Sequence, residues 1–269
     1  MILEETINFL KENYTDYIGS LSITDVRIGI FMTAIELSDG SVGVSGTITP
    51  SISAVHCKKE NRDFGAFTPN QITGKEVTEL LNTPKKNSIT DTLKVAALNA
   101  VSSKILEHSS YQIIKNTDPI DLVDLSTPQT ITVVGAFQGY ISKISSSPNR
   151  LFVLEFDEHA LNDNDKNYFV PASDFKKVLP VSDTVIITGQ TVLNNTIDEL
   201  LKWANPGADI IVTGPSGNFI PDVLFANNVK IVGASRTTHP ELMLKLAGEG
   251  GTGYHMFKYC AEKICILNE

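Results

Sequence analysis

The stretch DTVIITGQTVLNNTIDELLKWANPGADIIVTGPS, from Asp183 to Ser216, has the pattern of one βαβ unit. Its two apolar triplets, Val185–Ile187 and Ile210–Val212, are too short for helices and are bounded by polar residues. Such triplets are typical of strands that are buried on both faces of a parallel sheet. The stretch therefore predicts two parallel strands with a helix between them.

The helix of this unit is predicted to run from Thr196 to a stop at Asn205–Gly207. Thr196 precedes Glu199 by three residues, which is the spacing of a capping box. Turns of small and polar residues, Thr188–Thr191 and Gly214–Ser216, follow the two strands. In open α/β sheets ligands bind at this carboxyl edge of the strands, because free amides and helix N-termini converge there.

The rest of the C-terminal half continues the alternation of strands and helices. A second capping-box spacing, at Thr238 and Glu241, starts a helix that ends at Gly248. The other predicted elements are strands at Ile131–Val134, Leu151–Asp157 and Val229–Gly233, helices at Asp174–Val178 and Pro221–Ala226, and a last helix or strand that reaches Leu267. Short connections between alternating strands and helices predict a doubly wound, mostly parallel sheet of the α/β class.

The N-terminal half predicts an α+β arrangement, in which strands come first and helices later. Alternation of apolar and polar residues around Asp39–Gly40 predicts a β-hairpin from Val26 to Ile48. The segment from Thr49 to Gly74 is either a third strand with loops or a long ordered loop. Helices are predicted at Leu3–Tyr17, Lys75–Leu81 and Ser88–His108.

Two prolines mark a linker between the halves. Pro119 and Pro128 lie in a polar stretch without a clear period. We therefore expect a domain at 1–117, a linker at 118–129 and a second domain at 130–269.

Composition excludes several classes of protein. The net charge of −9 disfavours a nucleic-acid partner, since counterion release needs clustered lysines and arginines. Three cysteines without a CxxC spacing favour a reducing compartment. The first residues lack the pattern of a signal peptide, and no apolar stretch approaches the length of a membrane span. We expect a cytoplasmic protein that does not bind membranes; the sequence leaves the oligomeric state open.

Gly135 and Gly139 follow a predicted strand, and the acids Glu155 and Asp157 come about 20 residues later, as in a nucleotide-binding βαβ half. In that interpretation Gly135 lets the backbone approach the ligand, and an acid accepts ribose hydroxyls. The alternative is that Gly135 only allows a helix and a strand to approach, while the acid ends a strand in water. The pattern lacks the full GxGxxG, so both interpretations stay open.

The turns after the two central strands predict a ligand that is anionic or makes many hydrogen bonds, since they offer backbone amides, hydroxyls and carboxamides without apolar bulk. The alternative is ordinary turn and cap chemistry. The candidate ligand-binding residues of these turns are Thr188, Gly189, Asn194, Thr196, Gly214, Pro215 and Ser216.

Metal ligands are available as carboxylates rather than as a cluster of histidines and cysteines. The five histidines are dispersed, and no HExxH motif occurs. His56–Cys57 could supply two softer donors, although neighbouring residues in an extended chain point apart. The hard candidate ligands are Glu155, Asp157, Asp222 and Glu249.

Four segments, ITGQTVLNNTIDELL, VTGPSGNFIPDVLF, VKIVGAS and LAGEGGTGYHMFK, resemble the heavy-metal chelation family, one of the families of domains of unknown function. The resemblance covers the chain from about Ile131 onward and, more loosely, the N-terminal half. It implies an enolase-N-like α+β domain packed on a Rossmann-like domain, with a site in the cleft between them. It also implies these site positions: Asn99, Gly135, Glu155, Thr188, Gly189, Asn194, Thr196, Gly214, Pro215, Ser216, Pro221 and Asp222.

Three functional hypotheses follow. The first is a protein that binds or handles a small anionic or metal-linked ligand in the cleft, with a divalent or heavy metal held by Glu155 and Asp222 together with ligand atoms. The second is an enzyme, such as a transferase, that uses a nucleotide-like or adenosyl cofactor. The third is an interaction protein whose cleft is filled by Phe137 and Phe219. No residue is assigned as general acid, base or nucleophile.

Overall fold

Two sheets organise this mixed α/β chain, one small and antiparallel, the other large and mostly parallel. The structure, a computed structural model, describes residues 1–48, 64–85 and 87–268. The helices are α1 (Ile2–Asn13), α2 (Thr15–Gly19), α3 (Val77–Asn82), α4 (Ser88–Glu107), α5 (Gln138–Ser145), α6 (Phe175–Val178), α7 (Gln190–Leu193), α8 (Ile197–Trp203), α9 (Asp222–Ala226), α10 (Pro240–Gly248) and α11 (Gly253–Tyr259). The strands are β1 (Ile23–Ile28), β2 (Met32–Leu37), β3 (Val42–Gly46), β4 (Gln112–Lys115), β5 (Thr130–Val134), β6 (Arg150–Glu155), β7 (Phe169–Pro171), β8 (Thr184–Thr188), β9 (Asp209–Thr213), β10 (Val229–Thr237) and β11 (Ala261–Leu267).

The small sheet is the antiparallel meander β1-β2-β3. The predicted turn at Asp39–Gly40 joins β2 to β3, and Gly40 has a φ of +80°. The prediction of one hairpin from Val26 was wrong in its first arm, because a second turn at Gly29–Phe31 separates β1 from β2. Gly29 is required at that turn, since a Cβ there would lie 1.9 Å from the carbonyl oxygen of Ala247 at the end of α10.

The large sheet has the strand order β4-β11-β10-β9-β8-β5-β6-β7. Strands β10, β9, β8, β5, β6 and β7 run parallel to one another, whereas β11 is antiparallel to both β10 and β4. The predicted apolar triplets form the centres of β8 and β9, where their side chains are at most 4% exposed. The mostly parallel sheet is therefore confirmed, and its order reverses direction between β5 and β8.

The predicted last helix or strand is in fact both α11 and β11. Strand β4 lies before the predicted linker and yet belongs to the large sheet. The predicted linker itself contains a 3-10 turn, Pro119–Leu122, in which Ile120 is 2% exposed.

Both predicted capping boxes were wrong. The chain between β8 and β9 forms two short helices, α7 and α8, because Asn195 adopts a φ of +58° and ends α7. The Thr196 hydroxyl donates to Asn194 Oδ1 at 2.6 Å instead of capping α8. Helix α10 begins at Pro240 and has no side-chain cap.

Side chains of both sheets belong to one hydrophobic core, among them Ile35 of β2 and Val185 of β8. Met32 and Val44 of the small sheet pack with Met243 of α10 and Met256 of α11. On its other face the small sheet approaches α4 so closely that a Cβ at Gly43 would lie 2.1 Å from the backbone of Ala100. None of the helices among the described residues is both long and apolar enough to cross a bilayer. His56–Cys57 and most of the segment from Thr49 to Gly74 lie outside the described residues.

Candidate functional site

A cavity of about 1110 Å³ lies at the carboxyl ends of β5, β6, β7 and β8. It sits at the point where the strand order of the large sheet reverses, the usual place of ligands in open α/β sheets. Its described lining residues are Val134, Gly135, Ala136, Phe137, Leu154, Glu155, Phe156, Pro171, Ala172, Ser173, Phe175, Lys176, Thr188, Gln190, Thr191, Asn194, Asn195, Thr196, Glu199 and Leu200. Five of the sequence-predicted site residues are among them: Gly135, Glu155, Thr188, Asn194 and Thr196.

Gly135 directly follows β5 and has a backbone conformation that other residues rarely adopt. Its φ is +103°, and a Cβ there would lie 3.2 Å from both Cβ and Cγ2 of Thr188. Glycine therefore lets the turn after β5 lie against the end of β8, and these two strand ends form one wall of the cavity.

Glu155 ends β6 with its carboxylate held by two backbone amides. Ala136 donates to Oε2 at 3.1 Å, and Phe156 donates to Oε1 at 2.7 Å. A carboxylate has about four lone-pair sites, so each oxygen keeps capacity for a further donor. The half-buried side chain is thus an oriented acceptor in the cavity wall.

The turn after β8 contributes neutral polar groups. The Thr191 hydroxyl donates to the carbonyl of Thr188 at 2.6 Å, and Asn194 accepts from Thr196. This wall offers hydroxyls and carboxamides without a charge of its own.

Sequence reasoning missed most of the apolar and charged lining. Phe175 and Lys176 come from the short helix α6, and the Lys176 ammonium lies 4.7 Å from the ring centroid of Trp203. Glu199, which was interpreted as half of a capping box, is an exposed carboxylate of this lining. The signal that could have found Lys176 is its place in the predicted short helix Asp174–Val178, between the strands that end at Asp157 and begin near Val185.

The turn Gly214–Ser216 faces the N-terminal half rather than the cavity. It lies beside Gly189, whose amide donates to the Thr213 carbonyl at 2.7 Å. Asn99 Nδ2 donates to the carbonyls of Val44 at 2.6 Å and of Pro215 at 2.8 Å. These residues, with Gly214, form a junction between α4, β3 and the turn.

Ser216 belongs to the same junction. It is 2% exposed, and its hydroxyl accepts from the amide of Gly46 at 2.9 Å. Neither Ser216 nor Asn99 is among the described residues that line the large cavity.

A second cavity, of about 280 Å³, lies between the two halves, where the β2–β3 turn and the end of α4 meet β10. Its described lining includes Ser41, Lys104, Glu107, Asn218 and Arg236. The predicted site residues do not line it within the described part of the chain.

Asp222 is outside the described lining of the large cavity, to which Glu155 belongs. Asp222 is the first residue of α9 and follows Pro221 at the helix N-cap. Its carboxylate accepts a hydrogen bond from the hydroxyl of Tyr111. Burial and this hydrogen bond raise the pKa of Tyr111 above its ordinary value. Among the described residues, Glu155 and Asp222 therefore do not share the large cavity.

The described donors do not fit a metal site made by protein side chains. Among residues 1–48, 64–85 and 87–268, no group of three or more His, Cys, Asp or Glu side chains could hold a metal ion. Cys260 and Cys265 are buried, and burial, followed by the charge of Asp118, raises the pKa of the Cys265 thiol to about 12. Thiolate is the form that binds soft metals, so Cys265 is a poor ligand.

Comparison with known proteins places the chain in a family. The family model DUF364, described as "Putative heavy-metal chelation", matches residues 118–266, and the model DUF4213, with the same description, matches residues 11–102. No curated protein matches the chain.

Two solved structures share the fold. A DUF364 protein of unknown function from Pyrococcus horikoshii is 20% identical with a TM-score of 0.78, and the similarity covers 100% of both chains. A DUF364 protein of unknown function from Desulfitobacterium hafniense DCB-2 is 17% identical with a TM-score of 0.72, over 97% of this chain and 99% of that one. With the match of the first family model over more than half of its residues, the chain belongs to the DUF364 family.

Proposed function

We propose that the chain binds a nucleoside-type small molecule in the large cavity, with Glu155 as the acceptor for two ribose hydroxyls. The observation that carries the proposal is the Glu155 carboxylate, held by the amides of Ala136 and Phe156 beside Gly135. An acid at the end of the second parallel strand, next to a glycine turn after the first, is the arrangement that accepts ribose hydroxyls in dinucleotide-binding folds.

The topology supports the same proposal. Counted along the chain, β7-β6-β5-β8-β9-β10 is the order 3-2-1-4-5-6 of dinucleotide-binding sheets, which supports a Rossmann-like domain at 130–269. The meander β1-β2-β3 followed by α3 and α4 supports an enolase-N-like fold for the N-terminal part of the proposed domain 1–117, whereas β4, at its end, pairs with β11 of the large sheet. The linker at 118–129 stays a prediction. The proposed cytoplasmic location stays a prediction.

The physical basis is a pair of charge-assisted hydrogen bonds. Each oxygen of Glu155 already accepts one amide and has room for one hydroxyl, so a vicinal diol can be bound by both oxygens. A hydrogen bond to a charged group contributes about 1.5–3 kcal/mol. Loss of one hydroxyl or of the charge should therefore weaken binding about tenfold or more.

The test is calorimetric titration of the whole chain with adenosine and with 2′-deoxyadenosine. We expect adenosine to bind more tightly to the native chain, and we expect Glu155→Gln to reduce this preference. Glu158→Gln, an exposed acid outside the described lining, is the matched control and should retain the preference. Equal affinity for the two nucleosides, or no binding of either, would overturn the proposal.

A second candidate function is the handling of a metal-linked ligand, favoured by the family description and by two carboxylates, Glu155 and Glu199, in one cavity. Because the described residues offer no group of three donors, the ligand would supply the remaining donors. Thermal unfolding with zinc, nickel or copper ions tests it. A rise in Tm that is lost in the double variant Glu155→Gln/Glu199→Gln supports metal handling. An unchanged Tm, together with purified protein that contains no metal, contradicts it.

The two candidates differ in what they say about catalysis. An adenosyl cofactor in the cavity would be consistent with a transferase-type enzyme, whereas metal handling requires no reaction. Both locate the ligand within residues 134–200 rather than in the cleft between the halves that the family resemblance implies.

A further inference from the structure

Resting on the proposed function, we infer that the nucleoside carries no phosphate: the large cavity takes nucleosides and adenosyl thioethers and rejects nucleotides and dinucleotides. Two independent observations support this restriction, the position of the first turn of α5 and the balance of charge in the lining.

The first two residues of helix α5 are outside the described lining of the cavity. In nucleotide-binding sites the phosphates bind at the N-terminus of the first helix, whose leading N–H groups have no partner within the helix. Of the residues at the start of α5, Phe137 lines the cavity, whereas Gln138 and Gly139 are not among the described lining residues.

Phe137 is held in that place by its neighbours. Its ring stacks on Tyr140 with 5.2 Å between centroids and 18° between planes. The side chain of Gln138 is engaged elsewhere, since it donates to the carbonyl of Ala160 at 2.7 Å and accepts from Asn162. A phosphate in the cavity would therefore meet an aromatic ring where dinucleotide folds offer N–H donors.

The charges of the lining oppose a phosphate as well. Glu155 and Glu199 are carboxylates, and Lys176 is the cation among the described lining residues. The Lys176 ammonium already lies over the rings of Trp203 and Phe175, at 4.7 and 5.6 Å from their centroids. A phosphate would enter a site of net negative charge and lose hydration without a new cationic partner.

The remaining lining suits an uncharged ring. Phe156, Phe175, Pro171 and Leu200 offer apolar and aromatic surface on which a base can stack. The neutral groups of Thr188 to Thr196 can bind ring nitrogens or an uncharged 5′ substituent. A cationic sulfonium at the 5′ position is compatible with the two carboxylates.

The experiment compares four ligands on the whole chain by calorimetric titration: adenosine, 5′-methylthioadenosine, AMP and NAD. We expect the first two to bind and the last two to bind at least about tenfold more weakly, a difference equal to 1.4 kcal/mol. Raising the NaCl concentration from 50 to 500 mM should reduce the difference in affinity between adenosine and AMP, because salt screens the charge of the lining carboxylates.

A variant pair isolates the charge. Glu199→Gln should narrow the ratio of the AMP and adenosine dissociation constants by a few fold at low salt. Glu241→Gln, an exposed acid in the first turn of α10 and outside the described lining, should leave the ratio unchanged.

The outcomes separate the two proposals. If AMP or NAD binds as tightly as adenosine, the exclusion of phosphate is wrong while nucleoside binding stands. If none of the four ligands binds, nucleoside binding itself is wrong, and the restriction falls with it.

Discussion

The side-chain amide of Asn99 donates to the carbonyl of Pro215 at 2.8 Å and thereby ties α4 to the turn after β9. The same nitrogen donates to Val44 at 2.6 Å, and the side chain is fully buried. Asn99→Ala should lower the free energy of unfolding by about 1–3 kcal/mol, because both carbonyls lose their donor. Urea unfolding measures the loss. Ser103→Ala, which removes only a hydrogen bond within α4, should change stability by less than about 0.5 kcal/mol.

The hydroxyl of Ser216 makes a second hydrogen bond across the same junction. We therefore expect the effects of Ser216→Ala and Asn99→Ala on the free energy of unfolding to be coupled. Ser216→Ala leaves the buried amide of Gly46 without its acceptor, and we expect a loss of about 1–3 kcal/mol. In the double variant the combined loss should differ from the sum by at least about 0.5 kcal/mol, because both bonds hold one turn against β3. Strict additivity in urea unfolding would show that the two contacts are independent.

Gly135 and Gly139 form a matched pair for testing the turn after β5. Gly135→Ala should destabilise by about 1–3 kcal/mol, since alanine would be strained at a φ of +103° and would press against Thr188. Gly139→Ala should stabilise by about 0.5–1 kcal/mol, because Gly139 lies within α5 and a Cβ there meets nothing within 4 Å. Thermal unfolding of both variants measures the sign of each change in Tm. Equal changes in the two variants would contradict the argument from the backbone conformation of Gly135.

We expect the Asp118 carboxylate to stabilise the folded chain at neutral pH and to lose this contribution in acid. Burial would raise the pKa of this carboxyl, but hydrogen bonds from Lys263 and Tyr140 outweigh burial and hold the pKa below its ordinary value. The contribution is complete above the unfolded pKa of about 3.9 and disappears as the pH falls through the lower folded pKa.

Asp118→Asn should therefore destabilise at pH 7, by about 1.5–3 kcal/mol, and lose less stability than the native chain on acidification below about pH 4. Unfolding free energies between pH 7 and pH 3 test this. Asp121→Asn is the control, because Asp121 is 52% exposed and pairs with the exposed Lys143. An identical acid response in the native chain and in Asp118→Asn would contradict the assignment.

The strands of the large sheet could be predicted where burial on both faces leaves an unbroken apolar run, as in Val185–Ile187 and Ile210–Val212. Strand β4 could not be predicted in this way, because its residues are half-buried or exposed and leave no buried apolar run. Its partner β11 is distant in the sequence and becomes its neighbour only in the folded sheet. The turn at Gly29–Phe31 was also missed, because Ile30 and Phe31 are apolar yet 67% and 57% exposed, which continues the pattern of a strand.

The site was predictable in its strand ends and not in its connections. Gly135 follows β5 directly and Glu155 is the last residue of β6, so parallel pairing of the two strands brings them to one edge. Lys176 and Phe175 belong to a short helix that was predicted, but strand β7, which brings this helix to the cavity, has only three residues and was missed. The capping-box spacing misled because the carboxamide of Asn194 competes for the hydroxyl of Thr196, a local choice that spacing does not reveal.

The packing of β2 and β3 against α10 and α11 has an evolutionary consequence. Side chains from both ends of the chain fill that interior, and β4 pairs with β11, whose residues come about 150 positions later. Recombination that parted the region 11–102 from the region 118–266 would leave each fragment with an apolar face open to water. We therefore expect the two regions to be inherited together. We also expect gene fusions to add further domains before or after the pair rather than between the two regions.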